Sequence, residues 1–401
     1  MDLESNVWLA QRFVCREVLQ NKMTEKKKLL LVSDTYHPKV DGTVMFIDEF
    51  LRRAAPFFNL SLLVPDFGKH KSNKSIKTYY LTTSKFISPL PTYPAIRLSL
   101  KNLIETKKAV KETDIVFAQG PALASFLAIR YARKYKKKAF FYTHVLPWEL
   151  LEKSKRTFWS KTLAYLVKRI SMHYYNKCDK LIVPYHELGE QMKKNGVKTN
   201  IAVARLGIDI DKFSPTKNIA LSKKKVGIEE NKLVIGYVGR ISREKNTEIL
   251  LEAFQKLSSH NNLMLLMVGD GHKDLVNKFK ETKNCKVTGF VNNVEDYLKA
   301  MDIFVMPSLT ETTSLATLEA MSSGLSVVAT KVGFIKNYIV KGHNGVFFPR
   351  NSSTMLAIKI EKLLNNESLR QKLSNNARKT VAYSFSWERS INKIKRILLE
   401  S

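Results

Sequence analysis

Two carboxylates eight positions apart, Glu311 and Glu319, bracket a stretch of small hydroxyl side chains, ETTSLATLE, that follows the apolar run IFVMPS at 303–308. The apolar run reads as a buried strand. Thr312, Thr313 and Ser314 suit a helix start, because their hydroxyls can satisfy orphan backbone N–H groups. The helix is expected to reach about Ser323, with Gly324 as the residue just past its end. Glu311 then stands in the loop before the helix and Glu319 more than a turn inside it. At about 1.5 Å per helical residue and up to about 3.3 Å per extended one, the acids lie roughly 10–15 Å apart. Between them the helix start offers free N–H groups and positive dipole, a seat for phosphate. Acid, phosphate seat, acid is also the layout of a nucleotide sugar: sugar hydroxyls, diphosphate, ribose hydroxyls. On spacing alone the plainer account, one loop acid and one helix-surface acid, is favoured.

Other residues shift that balance. GYVGRISREKN, 236–246, follows a second strand-like run; its Gly239 would let backbone approach a ligand, and Arg240 and Lys245 stand five apart. Together these two cations suit a diphosphate that gains charge as it leaves, although either alone is an ordinary surface residue. Near the amino end, SDTYHPKVDGTV (33–44) places Gly42 between a strand and a helix. FFYTHVLPWE (140–149) puts His144 at the carboxyl end of a strand. The triplet DID at 209–211 mimics a metal-binding D-x-D motif, but it falls at a joint in the chain and reads as structural.

The elements that must carry these residues follow from the hydropathy pattern. Apolar runs at 28–33, 60–65, 114–118, 139–143 and 180–184 alternate with helix-length segments at 44–55, 97–111, 121–135 and 155–177. The second half repeats the rhythm with strands at 233–239, 263–269, 286–290, 302–307 and 325–330. Continuous apolar strands between helices predict parallel sheets covered on both faces. The fold class is therefore α/β, two doubly wound Rossmann-like domains facing a central cleft, with ligands expected at the carboxyl ends of the strands. The joint is placed in RLGIDIDKFSP, 205–215. This divides the chain into an extension at 1–22, a first domain at 23–206, a second at 207–384, and a C-terminal helix at 385–401 that crosses back to the first domain. Residues 1–22 lack the features of a signal peptide, and read as a short amphipathic extension or as sequence upstream of a start at Met23.

The chain has 401 residues, enough for two cores. Its three cysteines, Cys15, Cys178 and Cys285, are far apart and without metal-site spacing, which points to a reducing compartment. No apolar run is long enough to span a bilayer. The formal net charge is +31, and residues 1–208 carry 37 Lys+Arg against 17 Asp+Glu, leaving 30 against 19 in the remainder. Lysine-rich bias explains part of the excess, but the asymmetry points to an anionic partner of the first half. In 97–111, Arg97, Lys101, Lys108 and Lys111 share one face, with Leu100, Leu103 and Val110 elsewhere, as expected of a helix lying on an anionic membrane. In 155–177, Trp159, Leu163, Leu166, Ile170 and Tyr174 form an apolar stripe, with Lys161, Lys168 and Arg169 outside it; core packing explains that stripe at least as well. RYARKYKKK (130–138) adds a basic cluster. A nucleic-acid-binding protein is the rival class for a pI near 9.9. It is disfavoured, because zinc-finger spacing, an RNP-like aromatic motif and a basic zipper are all missing from the sequence.

Taken together, Glu311 to Glu319, the GR…EK element at Arg240 and Lys245, and GIDIDKF at 207–213 resemble the retaining glycosyltransferases of the GT-B fold, family 4, over roughly residues 28–395. HPKVDG, PTYPAIRLSL and FYTHVLPWE look closest to the branch that glycosylates membrane lipids. The resemblance implies that Glu311 contacts the donor sugar at its reacting centre and that Glu319 binds the ribose hydroxyls. It also implies that Arg240, Lys245 and the backbone at Ser314 and Leu315 hold the diphosphate. His144 would contact the sugar from the first domain, with Gly42 and Gly239 lining the cleft. Two departures from the family pattern, Asp41-Gly42 in place of a Gly-Gly pair and Lys336 in place of an acid after VGF, bear on donor choice. The implied activity moves glucose or galactose from UDP-glucose or UDP-galactose to diacylglycerol, by a protein peripheral to the cytoplasmic face of the membrane, with no metal and no nucleic acid. A GDP-mannose-dependent mannosyltransferase is the alternative.

Overall fold

The apolar runs become two parallel sheets in the computed structural model, which describes residues 26–38, 42–68, 76–84, 95–149, 158–257 and 260–400. The expected extension at 1–22 lies outside the described residues, as do 39–41, 91–94 and the side chains of Trp159 and Lys161. The first unit begins with β1 (Lys28–Ser33), α1 (Gly42–Ala54), β2 (Asn59–Pro65) and β3 (Lys77–Leu81). It continues through α2 (Leu100–Lys111), β4 (Ile115–Gln119), α3 (Leu123–Lys134), β5 (Lys138–Tyr142) and α4 (Phe158–Tyr175). It closes with β6 (Lys180–Val183), α5 (His186–Lys194) and β7 (Ile201–Val203). The sheet order is β3-β2-β1-β4-β5-β6-β7, with every neighbour parallel.

The second unit runs through α6 (Ile219–Lys225), β8 (Leu233–Val238), α7 (Thr247–Lys256), β9 (Leu263–Val268) and α8 (Lys273–Lys280). Then come β10 (Cys285–Val287), α9 (Val294–Lys299), β11 (Ile303–Met306), α10 (Leu315–Ser322) and β12 (Ser326–Thr330). It ends with α11 (Ile335–Tyr338), β13 (Val346–Phe348), α12 (Ser353–Leu364) and α13 (Glu367–Ser384). A last helix, α14 (Trp387–Leu399), follows. The second sheet, ordered β10-β9-β8-β11-β12-β13, is likewise parallel throughout.

The continuous apolar strands are explained by burial on both faces. Leu30 and Val32 of β1 enter the core under α2, α3 and α4, while Leu29 and Leu31 enter the core on the opposite face with Phe46 and Phe50 of α1. Trp387, Ile391, Ile394 and Ile397 of α14 belong to that opposite core, so the C-terminal helix packs on the first sheet's unit. The chain passes between the units twice, at residues 204–208 and 384–387. The two passages pair where the Ile208 N–H donates to the Phe385 carbonyl at 2.6 Å and the Trp387 N–H to the Ile208 carbonyl at 3.2 Å.

Several expectations are corrected. The basic helix begins at Leu100, not at 97; Arg97 precedes it, and its N–H donates to the Thr82 carbonyl. Strands β3, β7 and β13 were not expected. Each lies at a sheet edge and is short or half-solvated, so it lacks the continuous apolar run that marks a central strand. The order of each sheet reverses between neighbours β1 and β4, and between β8 and β11. Loops leaving those strands diverge to opposite faces and leave a crevice at their carboxyl ends.

Candidate active site

The crevice of the second sheet brings two loops together. β8 and β11 are neighbours, so the loop 239–246 and the loop 307–314 emerge side by side. The Leu309 N–H donates to the Glu244 carbonyl at 3.1 Å and fixes their register. Across this contact the Lys245 ammonium meets Glu311 Oε1 at 2.7 Å, and the Ser308 hydroxyl donates to the same oxygen at 2.7 Å. The Glu311 side chain is 8% exposed and that of Lys245 23%, so the pair is shielded but not sealed. Arg240 stands exposed on the same loop, its carbonyl accepting from the Tyr237 hydroxyl at 2.8 Å. The loop leaves β8 through Gly239 at φ 144°, a conformation closed to residues with a Cβ.

On the other side, Gly333 presses the loop after β12 against Glu311. A Cβ there would lie 1.9 Å from the Glu311 carbonyl oxygen, and its φ is 50°. The Phe334 N–H donates to the Thr312 carbonyl at 2.8 Å, and the Tyr338 hydroxyl to the Thr313 carbonyl at 2.9 Å. These bonds hold 311–313 from outside the loop.

The start of α10 differs from expectation in a way that matters. The hydroxyl of Ser314 does not cap the helix; it pairs with the Thr317 hydroxyl at 2.8 Å, while the backbone of Ser314 adopts a left-handed φ of 57°. The first-turn N–H groups, beginning at Leu315, are therefore left without a side-chain acceptor. An uncapped helix start following a held carboxylate and its lysine partner is an arrangement that can seat an anion and place a neutral polar group against Glu311.

Glu319 lies further along α10 and is buried. Burial pushes its carboxyl up to about 7, against the opposite pull of Lys212 and with a smaller push from Glu295. It borders a cavity of about 170 Å³ between the two units, together with Leu315, Gly207, Lys212 and Trp387, and with Met45 of α1.

Residues 40–212 match the family model described as Glycosyltransferase Family 4, and residues 218–380 match Glycosyl transferases group 1. An uncharacterized glycosyltransferase of Methanocaldococcus jannaschii is 24% identical over 93% of this chain and 98% of its own length. The alpha-monoglucosyldiacylglycerol synthase of Acholeplasma laidlawii is 23% identical over 86% of this chain and 90% of its own. Among solved structures, HepE of Anabaena in complex with UDP superposes with a TM-score of 0.75 at 18% identity, covering 93% of this chain and 100% of that one. The chain is a GT-B glycosyltransferase of the group 1, family 4 kind.

In this glycosyltransferase the first unit meets the site through α1. Gly42, the first residue of α1, faces Leu315; a Cβ on Gly42 would lie 3.4 Å from Leu315 Cδ1. Leu315 thus packs against the core of the first unit while its N–H opens the helix of the second. His144 follows β5, its ring 4.3 Å from that of Tyr142 and 6.1 Å from that of Phe46 of α1. The DID triplet is occupied locally, Asp209 Oδ1 accepting from the N–H groups of Asp211 and Lys212 at 3.3 and 3.0 Å. Sequence reasoning missed Ser308, Gly333 and Lys212. Only the VGF turn carried a signal, since a glycine between a strand and a helix invites a close approach.

The membrane candidates are partly regrouped. Lys101, Lys108 and Lys111 are exposed on α2, joined by Lys107, and Lys111 lies 5.2 Å from the Tyr135 ring. Leu100, expected off the cationic face, is 79% exposed beside these lysines, with Leu98 at 68% and Ile104 at 62%. The stripe of α4 is not core at Leu163, Leu166 and Ile170, which are about half exposed together with Tyr165. Both helices flank α3 in one layer over the same face of the first sheet.

Proposed function

We propose that this glycosyltransferase transfers glucose or galactose from a UDP-sugar to diacylglycerol at an anionic membrane surface, with retention of configuration. One observation carries the reading: the Lys245–Glu311 pair lies beside the uncapped start of α10, facing Gly42 of the other unit. In this reading the diphosphate sits on the α10 N–H groups at Ser314 and Leu315, between Arg240 and Lys245. Glu311 faces the sugar, with His144 on the opposite side, and Glu319 accepts the ribose hydroxyls. The bond from the anomeric carbon to the diphosphate breaks and the acceptor hydroxyl bonds that carbon from the same face. Its proton passes to the departing diphosphate oxygen. The cations stabilise charge that grows on the leaving group, each well-placed contact being worth about 10²–10³ in rate. The UDP in the Anabaena structure and the lipid product named for the Acholeplasma relative support donor and acceptor class. So does the exposed apolar and basic face of α2 and α4 on a protein with no helix long and apolar enough to cross a membrane among the described residues. We place it as a peripheral protein on the cytoplasmic face.

Incubation with UDP-glucose, UDP-galactose and GDP-mannose over mixed liposomes, read by lipid mass spectrometry, tests the whole reading. A glycosyldiacylglycerol formed only with a UDP-hexose is expected; a mannosylated phospholipid formed only with GDP-mannose overturns it. Activity is also expected to survive excess EDTA, because Arg240, Lys245 and the start of α10 already supply positive charge to the diphosphate. Complete loss, restored by Mg²⁺ or Mn²⁺, would contradict this.

A further expectation concerns pH. With its carboxyl at about 7, Glu319 is mostly protonated in mildly acidic solution and ionised in mildly basic solution. Only the ionised form accepts two ribose hydroxyls with both oxygens. The donor KM should therefore fall as pH rises from about 6 to about 8. Glu319→Gln, which cannot titrate, should give a high KM with a flat profile. A wild-type KM that does not change with pH over this interval would remove Glu319 from ribose binding.

A further inference from the structure

Away from the crevice, a groove of about 580 Å³ lies between α5, the edge strand β7 and the start of α14. Lys193 of α5, Arg205 just after β7, and Arg389 and Lys393 of α14 line it, together with His186. Glu190 is the one acid among the lining residues. It pairs with Lys193 at 3.4 Å, both side chains being well exposed, an arrangement of little energetic worth. Among the described residues, no carboxylate stands within ion-pair distance of Arg205, Arg389 or Lys393.

The two guanidiniums are held by rings instead. Arg205 lies 5.3 Å from the Phe385 ring and Arg389 lies 4.6 Å from the Tyr383 ring. The Ser390 hydroxyl donates to the Arg205 carbonyl, tying the start of α14 to the end of β7. Arginines stacked on rings keep their donor forks free and already ordered, so little freedom is lost when they meet a ligand. Two forks and two ammoniums around one weakly paired acid give a strongly positive concavity. Its volume falls in the range of small-molecule sites.

We propose that this groove binds a phosphate-bearing anion of organophosphate size. The fork geometry matches phosphate oxygens, which accept paired N–H bonds from guanidinium more strongly than from neutral donors. The phosphomonoester can come from a soluble metabolite or from a lipid headgroup; the chemistry is the same. None of the groove's lining residues belongs to the loops that carry Lys245 and Glu311, so it is separate from that crevice.

The test is calorimetric titration with inorganic pyrophosphate at low salt. Wild-type protein should show two sites. Arg240→Gln/Lys245→Gln should abolish the crevice site alone. Arg205→Gln/Arg389→Gln should weaken the groove site alone by at least about tenfold, the cost of losing charge-assisted hydrogen bonds. Lys193→Gln/Lys393→Gln, at exposed helix positions, should weaken the same site and keeps the test open if the arginine variant does not fold. Pyrophosphate binding at the second site unchanged in folded groove variants overturns the proposal, as does a wild type whose only site is lost with Arg240 and Lys245. A wild type whose only site is lost with the groove residues supports the groove and counts against the crevice reading. Flotation with phosphatidic acid vesicles separates the sources. Weaker recruitment of the arginine variant assigns a lipid headgroup, and unchanged recruitment alongside lost pyrophosphate binding assigns a soluble ester.

Discussion

Lys245→Ala and Glu311→Ala are each expected to lower turnover by about 10²-fold or more with the fold retained. The two residues share one ion pair at 2.7 Å, with Ser308 as the second partner of the carboxylate. In the proposed reading, removing Lys245 takes away a positive charge where the leaving diphosphate gains negative charge, and removing Glu311 takes away the carboxylate facing the developing positive charge of the sugar. Both losses fall on the transition state, so kcat should drop more than KM rises. Because the residues act as a unit, the double variant should be little slower than the worse single variant. The surrounding loop is held independently, through Leu309 to Glu244, Phe334 to Thr312 and Tyr338 to Thr313, so thermal melts should show a folded protein. Single-turnover assays with the preferred donor check the effect. Near-wild-type turnover in either folded variant would take that residue out of the mechanism.

Replacing Lys101, Lys107, Lys108 and Lys111 by Gln should weaken binding to anionic liposomes and lower lipid glycosylation in step. Each basic residue at an anionic surface contributes about 1 kcal/mol before screening, so the four supply at most about 4 kcal/mol, or up to about a thousandfold in binding. Physiological salt reduces this over a Debye length of about 8 Å. Leu100 and Ile104 stand among these lysines and are largely exposed. Each would gain about 1.5–3 kcal/mol if the bilayer buried it fully. Leu100→Asp/Ile104→Asp should therefore weaken vesicle binding by a comparable amount, and high salt should mimic the lysine variant more closely than the apolar one. Slow donor hydrolysis without lipid, where measurable, should persist in both variants, because the crevice is untouched. If both variants float with anionic vesicles as wild type does, this face is ordinary solvated surface and the acceptor reading loses its physical basis.

The sequence by itself determined the architecture wherever a residue must be apolar on both sides. Runs such as KLLLVS and LMLLMV are continuous because α/β packing buries both faces of a central strand, and that constraint is local enough to read directly. The positions of Glu311, Lys245 and Gly239 at strand ends were legible for the same reason, since loops follow strands in order. Edge strands β3, β7 and β13 carry a weaker constraint and were not legible. The amphipathic character of α2 and α4 was also visible, but periodicity cannot say which face the protein covers, so Leu100 was expected off the cationic face and the stripe of α4 stayed open between core and surface. Tertiary structure alone decided that Lys245 and Glu311, 66 residues apart, touch, because β8 and β11 become neighbours only when the sheet order reverses. It also decided that Ser314 bonds Thr317 instead of capping its helix, since the loop is held from outside by Gly333, Phe334 and Tyr338. The meeting of Gly42 with Leu315 likewise depends on the two units coming together, and no local pattern in either segment encodes that contact.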